Sequence, residues 1–211
     1  MTIVTRRNLV IGGGLAASTA AVFGATLIPP AKQGNAQALT VEDVLYDPDN
    51  PVLGNPDGDV TIVEFFDYQC PYCKANHPDL VDVVAEDGNI RLVMKDWPIF
   101  GAPSVRASQL ALGAADSGAY KTANEALMGT QGRLSKEDIE AALIAADLDV
   151  SDLDSAYRAN RDTWDGLMSR NGAQAAQLGL QGTPAFIIGT AIYPGSMDRA
   201  ALLDAVAQSR A

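Results

Sequence analysis

Val60-Thr61-Ile62-Val63-Glu64-Phe65-Phe66 is separated only by Asp67, Tyr68 and Gln69 from Cys70-Pro71-Tyr72-Cys73, and this stretch decides the fold. Its first seven residues are β-branched or aromatic apart from Glu64, the composition of a buried strand. A helix-like stretch then runs to Ala85, and Ile90-Arg91-Leu92-Val93-Met94 predicts a second strand, ending at Lys95-Asp96-Trp97-Pro98. Strand, helix and strand within about 35 residues make a βαβ unit, whose connection is expected to be right-handed.

Toward the C-terminus the pattern changes. Ser104 to Gly179 is rich in Ala, Leu, Asp and Gln and holds no strand-like run, so it predicts about four helices. Ser135-Lys136-Glu137-Asp138 has the spacing of a capping box opening a helix through Ala146. Asp152 to Leu178 predicts one long amphipathic helix, with Tyr157, Arg161, Trp164 and Met168 recurring at helical spacing; its aromatics, Tyr157 and Trp164, read as core, with a binding stripe as the alternative. After Gly182-Thr183-Pro184, Ala185-Phe186-Ile187-Ile188 returns to strand. Gly189 then marks a hairpin to Ala191-Ile192-Tyr193, and Asp198 to Ser209 closes the chain as a helix. Toward the N-terminus, Leu39 to Gly58 is polar and rich in turn residues. The expected architecture is a split α/β domain with a helical insertion at about residues 103–179 between its halves.

The 211 residues are 47% hydrophobic and 19% charged, with two Cys and a net charge of −11, which excludes a disordered or collagen-like chain and a disulfide-stapled miniprotein. A domain of about 170 residues buries a self-sufficient core, so both cysteines are free for chemistry. The acidic balance argues against nucleic acid as a partner, whose affinity comes from clustered Lys and Arg.

Residues 1–38 contain no Asp or Glu, and their basic residues are Arg6, Arg7 and Lys32. Arg6-Arg7 precede an uncharged stretch from Leu9 to Ile28, then Pro29-Pro30 and Ala36-Gln37-Ala38, the layout of an export signal cleaved after Ala38. Thr5-Arg6-Arg7-Asn8-Leu9-Val10 resembles a twin-arginine export motif; a general secretory signal and a retained anchor are the alternatives. The remaining domain, residues 39–211, carries a net −14. Either export route delivers it to the periplasm or another extracytoplasmic space, where disulfides persist. Gly12-Gly13-Gly14 lacks the preceding strand and the Lys-Ser/Thr of a phosphate loop.

A C-x-x-C pair closes its own disulfide without moving the backbone, so it can cycle between dithiol and disulfide while the fold stays intact. As a staple it is poor, because so short a loop constrains little of the unfolded chain. Cys70 at a helix N-terminus faces free N–H groups and the positive end of the helix dipole, which favours its thiolate. Cys73, one turn further in, is the shielded, resolving thiol. A zinc site lacks ligands, since His77 is the single His and there is no second cysteine pair. Haem attachment needs His directly after the second Cys, where Lys74 stands. No cofactor is implied beyond the dithiol/disulfide itself. His77 reads as a helix residue beside Pro78, with a proton-handling role as the alternative.

The domain resembles the DsbA-type thiol-disulfide oxidoreductases, thioredoxin-fold proteins with a helical insertion. Four features in order carry this: Glu64, six residues before the first Cys; Cys70-Pro71-Tyr72-Cys73; Pro78, five after the second Cys; and Gly182-Thr183-Pro184. The resemblance implies that Cys70 and Cys73 are catalytic and that Glu64 is a buried acid of raised pKa relaying the proton of Cys73. It implies a cis Thr183-Pro184 bond facing the dithiol. Pro71, Tyr72, Thr183 and Pro184 are then the residues that meet substrate. Lys95 is expected to pair electrostatically with Glu64. Pro-Tyr stands here where the best-known oxidase has Pro-His, and Thr183 where it has Val; Thr before the cis proline is an isomerase habit.

The implied activity is disulfide transfer to thiol-containing exported proteins through a mixed disulfide, with reoxidation by a membrane partner resembling DsbB. A reductase or isomerase kept reduced by a membrane electron donor is the alternative, and a chaperone-like binding module is a third. Isomerases of the family dimerise through an N-terminal domain, for which Leu39 to Gly58 leaves no room, so a monomer is expected.

Overall fold

The computed structural model describes residues 39–211; the export segment read at residues 1–38 lies outside the described residues. The chain first forms α1 (Val41–Leu45) and β1 (Val52–Gly54), then β2 (Val60–Phe66), α2 (Pro71–Asp87) and β3 (Ile90–Asp96). Five helices follow: α3 (Ala102–Gly113), α4 (Tyr120–Met128), α5 (Lys136–Ala145), α6 (Val150–Ala159) and α7 (Arg161–Gln177). The hairpin β4 (Ala185–Ile188) and β5 (Ala191–Pro194) and the helix α8 (Arg199–Ser209) complete it. The α/β class expected from the sequence is the one observed.

The sheet order is β1-β3-β2-β4-β5, with β2 and β3 parallel and the other neighbours antiparallel. All seven residues of β2 are buried, as its central place requires. Side chains alternate across a strand, and the two faces of the sheet have separate cores. Ile62, Phe66, Leu92, Met94, Phe186 and Ile188 pack with α2, α8 and the inserted helices. Val63, Phe65, Val93 and Ile187 pack with α1 and the end of α7.

The insertion has five helices rather than about four, because the long helix expected from Asp152 to Leu178 is two. Asn160 leaves helical geometry at φ −115°, ψ 26°, and its side chain donates to Asp116. Tyr157 and Trp164 are buried on either side of the break, while Arg161 is exposed and bonds Asp165. The capping box of α5 forms as expected: Ser135 Oγ accepts from Asp138 N at 3.1 Å, and Asp138 Oδ2 accepts from Ser135 N at 2.9 Å. Gly113 lets α6 come close to α3, since a Cβ there would lie 2.2 Å from the Leu153 carbonyl oxygen. Among the described residues, no helix is long and apolar enough to cross a membrane.

Candidate active site

Cys70 is the N-cap of α2 and Pro71 its first residue, where a proline removes no hydrogen bond and its fixed φ suits the helix. Pro71 and Tyr72 are exposed, Tyr72 by 66%, whereas Cys70 and Cys73 are free thiols and both buried. The two residues are almost equally covered, but the Cys73 sulfur is the more deeply set, and burial and hydrogen bonding together separate the thiols. The Cys73 thiol does most to lower the Cys70 pKa by donating to its sulfur. Burial opposes this, and Thr183 and the N–H groups of Cys73 and Tyr72 assist, holding Cys70 at about 6. Burial pushes Cys73 strongly up, reinforced by its bond to Cys70 and by the charge on Glu64.

The β4 approach completes the site. The Thr183-Pro184 peptide bond is cis, and Cys70 Sγ donates to the Thr183 carbonyl oxygen at 3.2 Å. A groove of about 660 Å³ runs beside this segment, lined among others by Leu180, Gln181, Ile192 and Pro194.

Glu64 sits in the middle of β2, opposite Met94 on one side and Phe186 on the other. Its carboxyl is fully buried, and neither oxygen has a hydrogen-bond partner among the described residues. Burial foremost, then the charges of Cys70 and Asp96, raise its pKa to about 8. Lys95 does not pair with it. In the parallel register Lys95 lies opposite Phe65, so it points to the other face of the sheet. There Lys95 Nζ stands 5.8 Å from the Phe65 ring centroid and 3.5 Å from Asn171 Oδ1. His77 is buried on α2, neither ring nitrogen has a hydrogen-bond partner among the described residues, and burial lowers its pKa.

Residues 47–208 match the family model described as Thioredoxin. The chain belongs to that family. A thioredoxin-like oxidoreductase from Silicibacter pomeroyi DSS-3 is 37% identical over 82% of this chain and 98% of its own, with a TM-score of 0.77. The thiol-disulfide exchange protein alpha-DsbA2 from Wolbachia pipientis is 29% identical over 79% of this chain and 90% of its own, with a TM-score of 0.74. Among curated proteins, a Na(+)/H(+) antiporter NhaA 1 from Salinispora arenicola is 29% identical over 94% of this chain. This chain spans only 31% of the length of that relative. With its thioredoxin fold and the paired thiols at the head of α2, the chain is similar to thiol-disulfide oxidoreductases of DsbA type.

In this thioredoxin-family member the three residues before Cys70 anchor the redox loop in three directions, which the sequence reading missed. Asp67 Oδ2 accepts from the N–H groups of Ile99 and Phe100 at 2.6 and 3.1 Å, and its Oδ1 accepts from Gln69 N at 2.7 Å. Tyr68 Oη accepts from Asn124 Nδ2 at 3.1 Å, and Gln69 Oε1 accepts from Leu134 N at 2.7 Å. The loop is thus tied both to the β3–α3 connection and to the inserted helices. Nothing in the pattern of isolated polar residues after a strand signals such long-range partners. Asp96 is also missed, although the alternation of β3 places it on the Glu64 face, where Lys95 is not.

Proposed function

We propose that this oxidoreductase is an extracytoplasmic thiol oxidase, transferring a Cys70–Cys73 disulfide to exported proteins and acting as a monomer. A membrane partner resembling DsbB would reoxidise it. The observation that carries the reading is the placement of the two thiols: Cys70 caps the N-terminus of α2 with its Sγ 3.2 Å from the Thr183 carbonyl oxygen, and the buried Cys73 lies one turn behind it. A substrate thiolate attacks Cys70 Sγ, the Cys70–Cys73 bond breaks, and Cys73 leaves with the electron pair. Glu64, protonated below about 8, gives its proton to Cys73. A second substrate thiolate then attacks the substrate sulfur of the mixed disulfide, and Cys70 departs as the stable thiolate. Two electrons pass from substrate to protein, and the substrate keeps the new disulfide.

The exposed Pro71 and Tyr72 and the groove beside Thr183-Pro184 support an extended peptide as substrate, lying next to Cys70 as an added strand would. Such clients are the thiol-containing proteins delivered by the route that the leader at residues 1–38 suggests.

A second reading, a reductase or isomerase kept reduced by a membrane electron donor, is favoured by Thr183. It is favoured too by the Cys70 pKa of about 6, which lies between the ~7 of thioredoxin and the ~3.5 of DsbA. Alkylating the thiols in intact cells with a mass tag separates the two. A protein resting as the disulfide is the expected result; a fully reduced protein overturns the oxidase reading in favour of the second.

A further inference from the structure

Glu64 is not the only buried acid behind the dithiol. Asp96 lies opposite Phe66 in the parallel register of β2 and β3, which puts it on the same face as Glu64, one strand over and two positions along. Both side chains are fully buried. The two differ in what holds them. Asp96 Oδ2 accepts from Tyr120 Oη at 2.7 Å, while Asp96 Oδ1 and both Glu64 oxygens have no partner among the described residues.

We propose that Asp96 is a positioning residue of the redox centre: its carboxylate, held by Tyr120, keeps the neighbouring Glu64 protonated and thereby available to Cys73. Two carboxyls on one buried face cannot both ionise readily. The first charge goes to the better solvated partner. Asp96 has the Tyr120 hydroxyl and the Ser108 side chain to stabilise its anion, and Glu64 has neither. Burial raises both carboxyls, the Tyr120 and Ser108 side chains offset it at Asp96 alone, and the charge on Asp96 is one of the causes that raise Glu64.

The titratable and charged groups that act on this pair from the packed elements are Cys70 at the head of α2, Asp67 in the loop before it, and Tyr68 and Tyr120 at the boundary with α4. All of them are neutral or negative when they titrate. Lys95 is the next residue to Asp96 but faces the opposite core. The pair therefore retains a proton into the range where isolated carboxyls have lost theirs. When Cys73 leaves as thiolate, that proton passes from Glu64 to Cys73, and Glu64 becomes the carboxylate.

This inference rests on the proposed role of Glu64, and the test separates them. The rate of mixed-disulfide resolution by Cys73, measured against pH with glutathione as the mixed-disulfide partner, reads the Glu64 step, and the ¹³C shift of a labelled Glu64 carboxyl reads its protonation directly. Asp96→Asn removes the neighbouring charge, and Tyr120→Phe moves the retained proton onto Asp96. Both variants are expected to lower the Glu64 midpoint and the matching limb of the rate profile by about one pH unit, a tenfold change in proton affinity. If Glu64→Gln removes the limb while both other variants leave the midpoint unmoved, the role of Asp96 is overturned. If Glu64→Gln itself leaves rate and profile unchanged, the proposed role of Glu64 fails instead, and that of Asp96 with it. Tyr120→Phe keeps the test open should Asp96→Asn not fold.

Discussion

Cys70 Sγ donates to the carbonyl oxygen of Thr183 at 3.2 Å, across 113 residues of chain. This contact brings the end of the helical insertion back onto the head of α2, so one sulfur reports on both halves of the split domain. In the thiol form the carbonyl accepts the S–H. In the thiolate form the Cys73 thiol and the helix N-terminal N–H groups are the donors that remain.

Removing the first of these donors should move the Cys70 titration. Cys73→Ala is expected to raise the Cys70 pKa from about 6 by roughly one unit or more, equivalent to about 1.4 kcal/mol of thiolate stabilisation. Cys73→Ser, which keeps a donor, should move it much less. Thiolate absorbance at 240 nm against pH measures both.

Glu64 binds its proton more tightly folded, at about 8, than the ordinary 4.5 of an unfolded glutamate. Between these values the native state holds more protons than the unfolded state, so this group makes stability fall as pH rises through that window. Below 4.5 both states are protonated and the effect is absent. Glu64→Gln is therefore expected to stabilise the reduced protein at pH ~8 by on the order of a few kcal/mol and to change little at pH ~4. Urea unfolding of both proteins at the two pH values checks the sign.

Lys95 belongs to the other core, and its substitution should leave the redox site alone. Lys95→Met is expected to leave the Glu64 titration and the Cys70 pKa unchanged. Burial foremost lowers the Lys95 pKa to about 8, so its ammonium penalises the fold below that pH, and the penalty fades as pH rises toward 10.5. The variant should thus be the more stable protein at pH ~6, with the difference closing at higher pH. Thermal unfolding across that range measures it.

Asp67 carries three backbone N–H groups on one carboxylate, tying Gln69, Ile99 and Phe100 together. Asp67→Ala leaves these donors without their charged acceptor and is expected to cost about 2–4 kcal/mol. Amide exchange should quicken most at Ile99 and Phe100. Both side chains are substantially exposed, at 40% and 43%, so the change would reflect the lost bond rather than a disturbed core.

Legibility followed the strength of the local signal. β2, the helix after Cys73 and the β4–β5 hairpin were readable because apolar runs and punctuation by Gly and Pro agree with the elements that form. The five residues of α1 and three of β1 were not, since elements so short sit inside a turn-rich stretch and are held by tertiary pairing with the rest of the domain. Asn160 caps the α6–α7 break, as asparagine favours caps and turns, but a single such residue within a continuous amphipathic pattern does not by itself end a helix. At the site, the thiols and Glu64 were legible through spacing and resemblance. Lys95 was assigned to Glu64 and Asp96 overlooked for one reason: the relative register of two parallel strands decides which side chains share a face, and neither strand encodes it alone.

Whether Cys70 and Cys73 pass a disulfide to a peptide is decided by mixing the purified, oxidised protein with a reduced peptide carrying two cysteines. One peptide disulfide is expected per protein molecule oxidised at the start, with a mixed disulfide through Cys70 trapped in the Cys73→Ala variant when that variant is presented with an oxidised peptide. Peptide thiols that stay reduced, or a Cys70→Ser variant that oxidises them as fast as the native protein, would contradict it.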